Sequence, residues 1–350
     1  MGQSPSHRSL LPFWTVGEAT GQLSVDYVEA SRLLPWLAAS NAYPLAVLSY
    51  GASVPNQLAC PIITLDLPQL EGSPTLEVWS SRNPVRTCHE SGLSIAISGD
   101  MLAGFLQFDE EPGTDLDITT CLAYRRLLRQ IRELGFPYLW RLWNYFPRIN
   151  DDRSGLERYR QFCVGRHQTL TESLADFPAS LPAGTAIGTA SGPLQICFLA
   201  GVHSVTHFEN PRQVNAYEYP PHYGPRSPSF ARATLRRYDD GAQLFIAGTA
   251  SVVGHASRHP GLPEEQTRET VNNLRALIEH VDHLIEKNGP GAPPRGIYKI
   301  YVRDAAQLFS IRNALRDPLL ISSRLLFLQG ELCRQELLVE IEGLITSDRP

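Results

Sequence analysis

The sequence predicts an α+β protein made of two units, each a mixed β-sheet backed by α-helices. Three observations carry that expectation. The 350 residues exceed the usual size of one domain. Hydrophobic residues are 43% of the chain and charged residues 19%, enough to fill a sizeable core. An order of strands, helix, strand, helix and strands also runs through the chain twice.

In the first half, residues 27–37 (Tyr-Val-Glu-Ala-Ser-Arg-Leu-Leu-Pro-Trp-Leu) read as a helix-like run. Tyr43–Tyr50 and Leu76–Ser80 read as strands. Leu93–Ser98 and Leu102–Phe108 flank Gly99-Asp100 and predict a hairpin. Asp115 to Asp117 offer N-caps for a helix whose apolar residues include Leu127, Leu128 and Ile131, ending at Gly135. Tyr138–Phe146 reads as a strand stopped by Pro147, and a second helix opens near Gly155. A boundary is expected near residue 180, dividing the chain into 1–180 and 181–350.

In the second half, Leu194–Ala200 reads as a strand, and two further strands flank Asp239-Asp-Gly241. Pro263 and two glutamates open a long helix with the stripe Val271, Leu274, Leu277, Ile278 and Val281. Ile297–Val302 is the next strand, and Asp304 caps the next helix. Arg324 opens the closing run. There Leu337, Val339 and Ile341 share one strand face, and Leu338, Glu340 and Glu342 share the other. A carboxylate on an otherwise apolar face has to be solvated, paired or functional.

Composition narrows the function classes. A net charge of −5 argues against nucleic acid or an anionic membrane as partner, and no apolar run is long enough to span a bilayer. Residues 1–9 are polar, and the short, Pro-broken Leu10–Trp14 makes no signal segment, so a cytoplasmic protein is expected. The six cysteines form no Cys-x-x-Cys and sit in apolar context, which predicts reduced thiols. The pairs His203/His207 and His280/His283 lack completing ligands, so no metal is expected.

Polar and aromatic residues cluster in two places. Trp143–Asn150 is followed by Arg153, Arg158, Arg160 and Arg166, with Tyr159 and Arg166 two helical turns apart. Asn215–Phe230 packs three tyrosines, Arg226 and several prolines into a stiff loop. Arginines beside rigid aromatic loops suit a small dicarboxylate, which the guanidinium matches in a bidentate fashion.

The closing Arg324…Glu340-Ile-Glu342 order resembles RidA/YjgF-type domains, in which the arginine holds a substrate carboxylate and the first glutamate faces the ligand. Four segments in order, Trp143–Asn150, Gly155–Phe162, Ala247–His255 and Cys333…Glu342, resemble the chorismatase family across roughly residues 40–345. That resemblance implies two RidA-like units acting on chorismate without metal or organic cofactor. It implies Glu340 as the acid that protonates the enolpyruvyl methylene. Arg160, Arg166, Arg226 and Arg324 would grip the carboxylates, and Tyr145 and Tyr217 would position them. Ala247 and Cys333 occupy two product-sorting positions. In the family, alanine at both accompanies hydrolysis to a dihydroxycyclohexadienoate, and glycine with cysteine accompanies 3-hydroxybenzoate. The mixed pair here favours an aromatic product, 3-hydroxybenzoate, and is compatible with some 4-hydroxybenzoate. Other readings are a diol-forming hydrolase, a RidA-type imine or enamine deaminase, and a non-catalytic sensor. A doubled chain implies a monomer or weak homo-oligomer, since it could build internally the interface that small RidA proteins form between subunits.

Overall fold

The computed structural model describes residues 22–55, 58–152, 155–239, 241–285 and 295–348. The N-terminal segment read above for targeting, Arg153 and the side chain of His283 lie outside them. A first sheet comprises β1 (Leu23–Glu29), β2 (Tyr43–Ser49), β3 (Ile62–Thr64) and β4 (Thr75–Ser81), in the order β1-β4-β2-β3. Helix α1 (Leu33–Ser40) covers its outer face. The helix-like run at 27–37 therefore divides. Tyr27–Glu29 pair with β4, and cross-strand pairing overrides the local helical pattern there.

The second sheet contains β5 (Arg86–Glu90), β6 (Leu93–Ser98), β7 (Met101–Phe108), β8 (Tyr138–Pro147), β9 (Ala183–Thr189) and β10 (Leu194–Gly201). Its helices are α2 (Leu116–Glu133) and α3 (Arg158–Ser173). The third sheet contains β11 (Thr206–Phe208), β12 (Ala233–Tyr238) and β13 (Gly241–Ala250), then β16 (Arg295–Val302), β17 (Arg324–Gln329) and β18 (Val339–Asp348). A small ribbon of β14 (Val252–Val253) and β15 (Ala256–Ser257) precedes α4 (Pro263–Ile285); α5 (Leu308–Ala314) and α6 (Pro318–Ile321) follow β16.

The two six-stranded sheets share one plan. Their orders are β5-β6-β7-β10-β8-β9 and β11-β12-β13-β18-β16-β17. In each, a helical crossover makes one parallel pair, and the last strand of the unit enters between the third strand and the fourth. The expected α+β class with two similar units is thus observed. The strand at 194–200, which sequence order places in the second half, pairs with β7 and β8 in the first sheet. That sheet closes only with β9 and β10, beyond residue 180.

Alternation along the strands sorts the core. Outward residues such as Leu142 and Phe146 pack under α2 and α3, and Val339, Ile341 and Ile345 pack under α4. Inward residues of all three sheets, among them Trp79, Trp143, Tyr145, Phe245, Tyr301 and Leu344, meet in one central core. The N-terminal sheet is the third wall of that core. Glu340 and Glu342 lie on the inward face of β18, the side opposite α4.

Candidate active site

Glu340 and Glu342 are both nearly inaccessible, at 4% and 2% exposure, yet their surroundings differ. Glu342 is saturated with donors. Its Oε2 accepts from Arg141 Nη2 at 2.7 Å and Thr185 Oγ1 at 2.6 Å. Its Oε1 accepts from Trp143 Nε1 at 3.0 Å and Tyr301 Oη at 2.9 Å, and lies 2.8 Å from Lys299 Nζ. Lys299 also reaches Glu77 of β4 at 3.2 Å, and Tyr50 and Trp79 donate to that second carboxylate. Two cations and two carboxylates therefore alternate through the core. Burial alone would push the Glu342 carboxyl up, but Lys299 and Arg141 hold it below its ordinary value, so it stays ionised.

Glu340 has the opposite environment. Among the described residues no side chain donates a hydrogen bond to its carboxyl. Burial, reinforced by the charge on Glu342, pushes its pKa up to about 8 against the pull of Arg141, Arg232 and Arg303. Two carboxyls on one strand face thus hold different protonation states at neutral pH, as an acid that must donate a proton requires.

The backbone makes room for the neutral carboxyl. β13 is irregular between Ile246 and Thr249, opposite Gly343 and Ile341 of β18. Gly248 lies in that irregularity, and a Cβ there would overlap Oε1 of Glu340. Its N–H donates to Thr185 Oγ1 at 2.9 Å, the same hydroxyl that donates to Glu342. Glycine is required here by close approach of a side chain, not by a turn.

Glu340 opens into a cavity of about 360 Å³ between the two units. From the first unit, α3 contributes Tyr159, Arg160, Cys163 and Arg166, and β9 contributes residues 184–186. The second unit adds Tyr219, Tyr223, Arg226 and Arg232 from the long loop before β12, and five consecutive residues, Cys333 to Leu337. Arg166 is 1% exposed, its guanidinium carbon stands 4.7 Å over the Phe162 ring, and its Nε and Nη2 have no hydrogen-bond partner among the described residues. Arg232 donates to Tyr219 Oη at 2.7 Å, but its Nε is likewise unpartnered. Buried donors of this kind are costly unless an acceptor arrives, and two guanidinium groups call for an anion. Burial, with Glu340 nearby, pushes the Cys333 thiol up to about 12, so it is a neutral S–H at physiological pH.

Residues 77–200 match the family model described as chorismatase FkbO/Hyg5-like, N-terminal. A chorismatase of Streptomyces hygroscopicus is 36% identical over 273 residues, spanning 77% of this chain and 78% of that protein. The chain belongs to the chorismatase family. A 3-hydroxybenzoate synthase of the same organism is 35% identical over 321 residues, 86% of this chain and 91% of that protein. A chorismatase crystal structure superposes with a TM-score of 0.80 at 30% identity, covering 93% of this chain and 99% of the other.

Within this chorismatase, the structure gathers five of the residues predicted from sequence around one cavity: Glu340, Cys333, Arg160, Arg166 and Arg226. The two-turn spacing of Tyr159 and Arg166 does place both on the cavity face of α3. Four others fall elsewhere. Arg324 begins β17, pairs with Asp26 at 2.6 Å, donates to the Tyr27 carbonyl and lines a separate groove against the N-terminal sheet. β17 runs parallel to β16, so its first residue lies beside Ile297, four positions along that strand from Tyr301, the partner of Glu340. Tyr145 is sealed in the central core with its hydroxyl on Tyr301 at 3.2 Å. Tyr217 packs against the helix-covered core of the first unit. Ala247 is buried in the β13 irregularity behind Gly248, which is the residue that faces the cavity.

Sequence reasoning singled out the 215–230 loop but chose Tyr217 from it, where Tyr219 and Tyr223 line the cavity. It passed over Arg232 and the partners of Glu342, namely Arg141, Lys299 and, through Lys299, Glu77. Arg232 sits in an ordinary strand entry and Lys299 in an alternating Ile-Tyr-Lys-Ile-Tyr run. An inward-facing lysine at the centre of such a run was the available signal for the second.

Proposed function

We propose that the cavity binds chorismate and that Glu340, carrying its proton, protonates the terminal methylene of the enolpyruvyl ether. The observation that carries this reading is a buried Glu340 carboxyl without a hydrogen-bond donor among the described residues, on the same strand face as a fully paired Glu342 and beside buried, unpartnered arginine donors. Protonation creates an oxocarbenium ion, which Glu342 and the neighbouring dipoles stabilise electrostatically. Capture of that ion by oxygen and cleavage of the ether bond release pyruvate. Arg166 and Arg232, with Arg160, Arg226 and Arg334 nearer the mouth, hold the two carboxylates.

The expected ring product is 3-hydroxybenzoate, with 4-hydroxybenzoate as a minor companion. The balance closes without external water: the ring gives up the elements of one water, its hydroxyl and one hydrogen, and cleavage of the vinyl ether takes up the same elements, OH overall in the side chain that becomes pyruvate and H on the oxygen that stays with the ring. The hydrolytic branch instead consumes one water and leaves the diol. Cys333, a neutral thiol on the cavity wall, favours the aromatic branch by keeping solvent from the ring. The relatives that bear the names chorismatase and 3-hydroxybenzoate synthase support the substrate and product class.

The test is incubation with chorismate, with pyruvate followed by a coupled dehydrogenase and ring products separated by chromatography. Wild type should release pyruvate and hydroxybenzoate in equal amounts. Cys333→Ala should move product towards the diol. No pyruvate from the folded protein would overturn the assignment, and an unchanged product profile in Cys333→Ala would remove the thiol from product choice.

A further inference from the structure

Five consecutive cavity-lining residues, Cys333 to Leu337, belong to a segment that is not paired as a strand. β18 begins only at Val339, so no hairpin holds this wall in place. Gln266 of α4 donates to Glu336 O at 2.8 Å and accepts from Leu338 N at 2.8 Å, and three other carbonyls are gathered by one side chain at the end of β16. Arg303 Nε donates to Leu337 O at 2.8 Å, and Nη2 donates to Leu332 O at 3.1 Å and Arg334 O at 2.9 Å. Its Nη1 donates to Asn150 Oδ1 in the first unit at 3.2 Å. Asn150 Nδ2 continues to Glu157 Oε1 at 2.9 Å, and Glu157 Oε2 accepts from Arg160 Nε at 3.2 Å. Arg303 itself does not line the cavity. One guanidinium therefore contacts both ends and the middle of the Cys333 wall, beside the Gln266 contacts near its C-terminal end, and connects the wall to the opposite side of the cavity through Asn150, Glu157 and Arg160.

We propose that Arg303 is a positioning residue that sets the product ratio by holding the Cys333 wall against the substrate ring. This rests on the reading above that Cys333 governs product choice. The geometry suits arginine alone: four acceptors in different directions need a rigid planar fork, and a lysine ammonium offers one point. Proton delivery by Glu340 depends on β18 and β13, and Arg303 acts on Glu340 only through its charge, which Arg303→Lys keeps. The two functions are therefore separable: loosening the wall lets water reach the ring while ether protonation continues.

The experiment compares Arg303→Lys, Asn150→Ala and wild type in two ways, with Cys333→Ala added to the product assay only. Products from chorismate are separated by chromatography alongside total pyruvate. Separately, alkylation of Cys333 by iodoacetamide is timed by peptide mass spectrometry, a readout that needs no turnover. Arg303→Lys should keep releasing pyruvate, raise the diol-to-aromatic ratio roughly tenfold or more, and speed Cys333 alkylation by a similar factor. Asn150→Ala should shift both in the same direction by less, and decides the matter if Arg303→Lys does not fold. Faster alkylation with an unchanged product ratio would sink the link to product choice while leaving the clamp. Unchanged alkylation and unchanged products would overturn the proposal. Absence of pyruvate in wild type would instead defeat the functional reading, and alkylation would still judge the clamp.

Discussion

Glu340→Gln should abolish pyruvate release and at the same time make the protein more stable at neutral pH. The carboxyl has an ordinary value of 4.5 and a folded value of about 8. Below pH 4.5 both folded and unfolded chains carry the proton, and burying the group adds no pH-linked cost. As pH rises the unfolded chain loses the proton first, so stability falls through the interval from 4.5 to 8 and then levels off. At pH 7 about 2.5 units of that interval have been crossed, a cost of roughly 3 kcal/mol. Glutamine fills nearly the same volume and avoids it. The variant should therefore melt higher than wild type at pH 7, on the order of 5 °C for a chain of this length, with the difference shrinking towards zero near pH 4.5. Scanning calorimetry of both proteins from pH 4.5 to 8 measures it, and the pyruvate assay provides the activity. In wild type, kcat/KM should be flat below pH 8 and fall about tenfold per unit above it, since it reports the free enzyme's acid. A variant that is destabilised at pH 7, or whose stability difference ignores pH, would mean that Glu340 is ionised in the folded protein and cannot be the donor.

Other perturbations test neighbouring parts of the site. Gly248→Ala should push the Glu340 carboxyl from its place and cut turnover about 100-fold or more with circular dichroism unchanged, because an error of 1 Å in a reacting group has effects of that size. Lys299→Met leaves Glu77 and Glu342 facing each other without their shared cation and should cost roughly 3–5 kcal/mol in urea unfolding; a loss under about 1 kcal/mol would mean that the charges are solvated. Arg324→Ala should leave KM for chorismate as in wild type, since its guanidinium holds Asp26 outside the cavity; a tenfold rise would restore it to the binding site.

Most of the architecture could be read from the sequence because it depends on period, whereas the choice of Glu340 as the acid came from the family resemblance. The strand alternation begins at Val339 rather than Leu337, which lies in the preceding loop and packs into the central core. From there it puts Glu340 and Glu342 on one face, the burial of which depends on the other two sheets, and the two strand–helix cycles define two sheets. Two kinds of information do not repeat with a local period. The first is strand order: β10 enters between β7 and β8, and nothing within Leu194–Gly201 says which strands will flank it. The second is depth along a strand. Arg324 and Glu340 look like neighbours in a closing hairpin, but β16 separates β17 from β18, and Arg324 sits at the distant end. Cys333 poses the reverse difficulty: it lies seven residues before Glu340, and in a simple hairpin that spacing would not set the two side chains face to face. The segment is instead an unpaired loop held by Arg303, and a side-chain clamp leaves no signature in hydrophobic pattern.

The N-terminal sheet gains a function from this geometry. Two six-stranded sheets would leave the inward faces of β16 and β18 open, and the carboxyl of Glu342 would meet water near Lys299. Sheet β1–β4 closes that side and brings a carboxylate of its own. Glu77 balances the ammonium that balances Glu342, and Tyr50 and Trp79 satisfy Glu77 in turn. Without Glu77 the core around Glu342 would carry two cations against one anion. That surplus would act on Glu340 through a low-dielectric interior and draw its pKa down, away from the range in which it keeps a proton at pH 7. By this reasoning a strand more than 250 residues from Glu340 in sequence is expected to help keep that carboxyl neutral. Glu77→Gln should accordingly shift the alkaline limb of kcat/KM to lower pH without touching a substrate contact. A limb that stays in place would show that the field of the network ends at Glu342.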